Sequence, residues 1–182
     1  MSEEAFIARA RTYFNELFSS VSASSHKALI LNNAFEPFYP ERSSVLIENA
    51  KSIVVDRDPR DVYISALTVG NVAGSQVGIA VTGGSVENFI KRFRIYRTAR
   101  GGVSPNVYRT HFEKILLDYE AEVRRIRGFL GESEGSYERQ GTILRPVDSR
   151  RNISLWSRPE YSSLRRDIQA IQSELGEFCL DI

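Results

Sequence analysis

Phe6, Ile7, Ala10, Tyr13, Phe14, Leu17 and Phe18 recur every three or four positions, and this spacing predicts an amphipathic helix over residues 3–19. A polar break over 19–25 comes next. The run Ala28, Leu29, Ile30 and Leu31 predicts a buried strand over 27–31, and 32–42 reads as a proline-containing loop. A short helix is expected over 45–50. Ile53, Val54 and Val55 predict a second buried strand, with a helix opening at Asp58. Residues 69–84 are rich in Gly, Ser, Val and Thr without a clear period, and read as a loop or lid. Val86, Phe89, Ile90, Phe93 and Tyr96 mark a helix that Gly101 and Gly102 stop. Alternation over 106–112 predicts a third strand. Leu116, Tyr119, Val123, Ile126, Phe129 and Leu130 predict a helix closed by Gly131, and 132–142 reads as polar loop. Tyr161, Leu164, Ile168, Ile171, Leu175 and Phe178 step by three and four, predicting a terminal helix. Strands that alternate with helices predict an α/β fold with a parallel sheet.

The densest chemistry lies in residues 52–65. Arg57 stands at the carboxyl end of the second strand, where open α/β sheets bind their ligands. A guanidinium there can grip an anion through two parallel charge-assisted bonds. Asp58 suits an N-cap and Pro59 the first helical position, where a missing N–H costs nothing. Asp61 completes a capping-box-like spacing. Positions 58, 61, 62 and 65 fall on one helix face, so Ser65 looks toward the helix mouth over which Arg57 can fold. An ordinary strand–helix turn with a surface Arg–Asp cluster is the alternative.

Composition narrows the class. A chain of 182 residues fits a single domain, and a formal net charge of +1 offers no case for nucleic acid. The single cysteine, Cys179, excludes an internal disulfide. That fits a reducing compartment, and with no export signal at the start of the chain a cytoplasmic location is expected. No apolar run approaches the length of a membrane span. His26, His111 and Cys179 lack ligand spacing, so no metal site is expected.

The order Ile53 to Val55, Arg57, Asp58, Pro59, Asp61 and Ser65 resembles the 3′-phosphate-binding motif of sulfotransferases that use 3′-phosphoadenosine 5′-phosphosulfate (PAPS). Two further stretches resemble the family. One is the strand with its turn at Phe112, Glu113, Lys114 and Ile115, succeeded by a helix closing in Phe129, Leu130 and Gly131. The other is the basic stretch of Arg150, Arg151, Asn152 and Trp156 ahead of the last helix. Together they cover residues 27–178. The resemblance implies a three-layer parallel sheet flanked by helices, of the P-loop-NTPase-like kind. It further implies PAPS as sulfuryl donor, a hydroxyl acceptor such as a glycan, and Arg57 and Ser65 on the 3′-phosphate with help from Arg150 and Arg151. Glu113 is expected to brace a helix. For Arg150 and Arg151, a solvated basic loop anchored by Trp156 is the alternative.

The pattern also departs from the family. Its N-terminal Gly-rich loop for the 5′-phosphosulfate has no counterpart here, and Thr82, Gly83, Gly84 and Ser85 lack both its lysine and its place in the order. Ser85 is better read as a helix N-cap. The chain is therefore expected to represent the C-terminal two-thirds of such a domain, incomplete at its N-terminus. A sheet short of its first strand would favour oligomers. Where many family members carry a catalytic histidine, this sequence has Glu36 as the candidate base, with His111 as a second. Two other readings stay open. One is a P-loop kinase or NTPase fragment with Asp56 facing Mg²⁺. The other is a non-catalytic interaction domain that keeps the fold.

Overall fold

The computed structural model describes residues 1–21, 28–32, 39–73, 81–98, 104–132 and 145–182. The chain is α/β and mostly helical. Helices α1 (Glu3–Val21) and α2 (Pro40–Ser43) precede strand β1 (Ser52–Asp56), which leads into α3 (Pro59–Ala73). Then come α4 (Val86–Thr98), strand β2 (Val107–His111), α5 (Phe112–Leu117), α6 (Tyr119–Leu130), α7 (Pro146–Ser149) and α8 (Arg165–Glu174). Among the described residues β1 and β2 are the only strands, and they pair in a small parallel sheet.

Several expectations are corrected. Residues 28–31 form no strand, and Leu29, Ile30 and Leu31 are all exposed, Ile30 at 90 %. A short apolar run becomes a strand only when a neighbour takes up its N–H and C=O groups, and here none does among the described residues. The helix expected over 45–50 lies earlier, as α2 and a 3₁₀ turn over Ser44–Leu46, and Asn49 turns the chain at φ 57°. The region read as a loop from residue 69 begins as helix, since α3 runs to Ala73. The helix expected over 116–130 is two helices broken at Asp118 (φ −126°, ψ 48°). Asp118 serves both: its N–H bonds the Lys114 carbonyl at 3.0 Å and its own carbonyl accepts the Glu122 N–H at 2.9 Å. Gly131 closes α6 as expected, at φ 81°. Its N–H reaches Gly128 O and the Glu132 N–H reaches Arg127 O, the paired bonds of a Schellman stop. The terminal helix is α8 flanked by 3₁₀ turns over Pro159–Leu164 and Gly176–Phe178.

The chain divides into two compact units, Met1–Val54 with Ala99–Arg109, and Val55–Thr98 with Thr110–Ile182. In the first, polar bonds tie α1 to Val45 and Glu48. Arg11 Nε donates to Val45 O at 2.8 Å, and Asn15 Nδ2 to Glu48 Oε2 at 3.1 Å. Arg109 pairs with Glu41 at 2.9 Å. Apart from Pro40, Val54 is the only buried apolar side chain among its described residues, while Phe6, Tyr13 and Leu17 of α1 stay exposed.

The second unit holds the core. Tyr63, Phe89, Phe93, Ile171 and Leu175 pack as one cluster, with ring centroids of 5.2 Å for Tyr63–Phe89 and 5.6 Å for Phe89–Phe93. Ile64, Leu155 and Ile168 form a second cluster, margined by Trp156, Tyr161 and Leu164. Neighbouring residues of α3, Tyr63 and Ile64, thus enter different clusters, so the helix is held on two sides. Full burial of each such side chain contributes about 1.5–3 kcal/mol.

Candidate functional site

β1 buries Val54 and Asp56 and exposes Ile53 and Val55, the period-two alternation of a strand covered on one face. Asp56, at its carboxyl end, pairs with Arg97 of α4 at 2.9 Å. The chain then turns through Arg57 into α3. Asp58 is the N-cap: its side chain accepts the Arg60 N–H at 2.9 Å and its carbonyl accepts the Val62 N–H at 2.9 Å. The capping box suggested by Asp61 does not form. Glu113, at the start of α5, takes that role, accepting the Asp58 N–H at 3.0 Å with a fully buried carboxylate. Glu113 therefore braces a helix.

A buried clasp holds the helix start in place. The Arg60 guanidinium straddles both Asp58 oxygens, at 3.0 and 2.6 Å. It also donates to Gln172 at 2.5 Å and to the Leu180 carbonyl at 2.8 Å, and lies 3.9 Å from the Trp156 ring centroid. The Leu180 N–H returns to Asp58 at 2.9 Å. Burial by itself would lower the Arg60 guanidinium, but the hydrogen bond and charge of Asp58 outweigh it and the net direction is up. Breaking a pair this deep strands one charge without its partner.

On that foundation stands Arg57, with about a fifth of its side chain exposed. Nη1 donates to Ser65 Oγ at 2.8 Å, and Nη2 donates to the Asn152 carbonyl at 2.6 Å. The Phe112 ring centroid lies 5.0 Å from the guanidinium carbon. Asp61 Oδ2 is 3.8 Å from Nη2. Nε is buried without an acceptor among the described residues. Asp61 is 1 % exposed and accepts the Trp156 N–H through Oδ1 at 3.2 Å. Burial pushes its carboxyl above the ordinary range; the Trp156 N–H and the Arg57 charge pull it back, while Asp58 and Glu113 push it further up. The arrangement is a partly exposed cation beside a hydroxyl, at the carboxyl end of a strand and the mouth of a helix, suited to a small anion.

The sequence-derived candidates fare differently. Arg57 and Ser65 meet directly. Arg150 is exposed and spends its Nε on the Leu116 carbonyl at 3.0 Å, near the end of α5. Arg151 is exposed, and its carbonyl receives the Arg158 guanidinium. The basic stretch reaches Arg57 through backbone, the Asn152 carbonyl, rather than through its arginines. Trp156 anchors the stretch, packing on Ile64, Leu155 and Ile168. His111 ends β2 and is the N-cap residue of α5; its Nδ1 is buried without a hydrogen bond among the described residues. Glu36 lies outside the described residues.

The Gly83, Gly84 turn is closed on itself. Thr82 Oγ1 accepts the Gly84 N–H at 3.2 Å, and Ser85 Oγ caps α4 through the Asn88 N–H at 3.2 Å. A Cβ on Gly83 would come within 2.9 Å of Asn88 Cβ.

Sequence reasoning overlooked Asn152 and Phe112 as neighbours of Arg57. Nothing local marks them, since they lie 95 and 55 positions away. No group of side chains able to hold a metal ion occurs among the described residues, and no described helix is long and apolar enough to cross a membrane. No family model matches the chain, and no curated protein or solved structure matches it.

Proposed function

We propose that this chain binds the 3′-phosphoadenosine portion of PAPS, as the nucleotide-binding part of a sulfotransferase that modifies a hydroxyl acceptor such as a glycan. The reading rests above all on the 2.8 Å bond between Arg57 and Ser65 at the carboxyl end of β1. Two residues whose spacing resembles a 3′-phosphate motif share one hydrogen bond at the kind of site where α/β folds bind anions. The three-layer, P-loop-like architecture belongs to the same proposal, as does a cytoplasmic setting. Arg150 and Arg151 are assigned supporting electrostatic roles.

Sulfuryl transfer is an in-line displacement that depends on positioning and cationic stabilisation, as phosphoryl transfer does. The sequence lacks a loop for the 5′-phosphosulfate, so binding is assigned to this chain and unaided turnover is not. Glu36 or His111 would have to supply the base. The Mg²⁺-dependent alternative is disfavoured by the Asp56–Arg97 pair, which gives that carboxylate a cation from the protein itself.

Calorimetric titration with 3′-phosphoadenosine 5′-phosphate tests the reading. Binding should be salt-sensitive and weakened by more than about tenfold in Arg57→Ala, the loss typical of a hydrogen bond to a charged group. Ser65→Ala should cost less. Wild-type affinity in both variants would refute the assignment, and absence of any affinity would favour a non-catalytic module.

A further inference from the structure

Asp61 is not among the groups assigned to the anion, yet it is the acidic side chain paired with Arg57. Its Oδ2 lies 3.8 Å from the Arg57 Nη2, is buried, and accepts no hydrogen bond among the described residues. Its Oδ1 is occupied by the Trp156 N–H. The charged groups acting on it are Arg57 at the end of β1, Asp58 and Arg60 at the start of α3, and Glu113 at the start of α5. Three carboxylates therefore share this pocket with two guanidinium groups. Arg60 is committed to Asp58 by a bidentate pair, and Glu113 to the Asp58 N–H. That leaves Asp61 with Arg57, at a distance too long for a hydrogen bond.

An anion that settles on Arg57 adds negative charge beside a carboxylate already screened from water. Like charges at this separation and in this setting repel strongly. Either the anion binds weakly, or Asp61 becomes neutral.

We propose that Asp61 is the internal counter-ion of Arg57, and that anion binding at Arg57 is coupled to partial proton uptake from solvent, which raises the fraction of chains with Asp61 Oδ2 protonated. Asp61 is then a positioning residue for the anion site: it holds Arg57 in place when the site is empty and gives up part of its charge when the site fills. The coupling makes affinity fall as pH rises, over and above any titration of the ligand itself. It also ties the site to the 155–157 turn, because the same carboxyl holds the Trp156 amide in both protonation states. The proposal rests on the anion-binding reading given above.

The test compares wild type with Asp61→Asn, which preserves volume and the acceptor for Trp156, in calorimetric titrations with 3′-phosphoadenosine 5′-phosphate at pH 5.5 and pH 8. The ligand's own titration is common to both chains and cancels in the ratio of their affinities. That ratio should be near one at the lower pH, and at the higher pH should favour Asp61→Asn by about tenfold, the size of one like-charge repulsion of this kind. A ratio that does not change with pH, or weaker binding by Asp61→Asn throughout, overturns the proposal. If Arg57→Ala loses binding while the ratio stays flat, only the coupling is wrong. If Arg57→Ala binds like wild type, the site itself is wrong. Should Asp61→Asn not fold, the wild type still decides: its binding heat at pH 7 should vary with buffer ionisation enthalpy in the sense of proton uptake, and net release would refute the idea.

Discussion

The two compact units make opposite use of their apolar residues. The larger one buries Tyr63, Ile64, Phe89, Phe93, Leu155, Ile168, Ile171 and Leu175 around α3. The smaller one leaves Phe6, Tyr13, Leu17, Leu29, Ile30 and Leu31 exposed and relies on side-chain bonds from α1 to the 44–48 region. Exposed pairs and bonds of this kind contribute little each, whereas cavity-free burial accumulates. The proposed anion site stands in the unit with the core. A cation can be pre-aimed only where its neighbours are fixed, and Ser65 and Phe112 are carried by helices with buried faces, α3 and α5.

That contrast can be broken most directly by truncating the core. Phe89→Ala should lower unfolding stability by about 3–5 kcal/mol in urea titration, and a loss below about 1 kcal/mol would show that the larger unit is not the stable one. Tyr63→Phe removes the bond its hydroxyl donates to Asp167 Oδ2 at 2.8 Å. It should cost about 1 kcal/mol, and an unchanged midpoint would mean that this link between α3 and α8 contributes nothing.

A pH-dependent effect should be smaller. Burial, then the Asp58 charge, push the Cys179 thiol from 9.0 up to about 11. The folded chain keeps that proton while the unfolded chain loses it, so stability should decline as pH rises from about 9 toward about 11. Cys179→Ala should remove that part of the decline, and an identical alkaline profile would discount it. The smallest effect is expected in the other unit, where Ile30→Ser should shift stability by no more than about 0.5 kcal/mol. A loss of several kcal/mol there would end the contrast.

Legibility in the sequence tracks the range of the interactions. The periodicity of α1 and α4, the Gly131 stop and the Asp58 and Ser85 caps depend on neighbours within five positions, and they were legible. The Arg57–Ser65 bond spans eight positions along a turn and one helix, which a strand–turn–helix geometry can project. The run over 28–31 misleads, because hydrophobicity states a need for cover and does not say whether cover exists. The break at Asp118 is invisible to apolar spacing, since Leu116, Tyr119 and Val123 keep their rhythm across it. Glu113 displaces Asp61 from the cap by reaching over 55 positions, and a capping-box pattern cannot anticipate a better acceptor arriving from elsewhere.

The clasp at the start of α3 has a consequence for motion. Leu180 commits both its N–H and its carbonyl to the Asp58–Arg60 pair, so residues near the end of the chain and the first turn of the helix share the same bonds. They should therefore open as one cooperative segment, and their amides should exchange with solvent at a common rate. Loosening the tail would then let the ground beneath Arg57 breathe, although the tail makes no bond to Arg57 among the described residues.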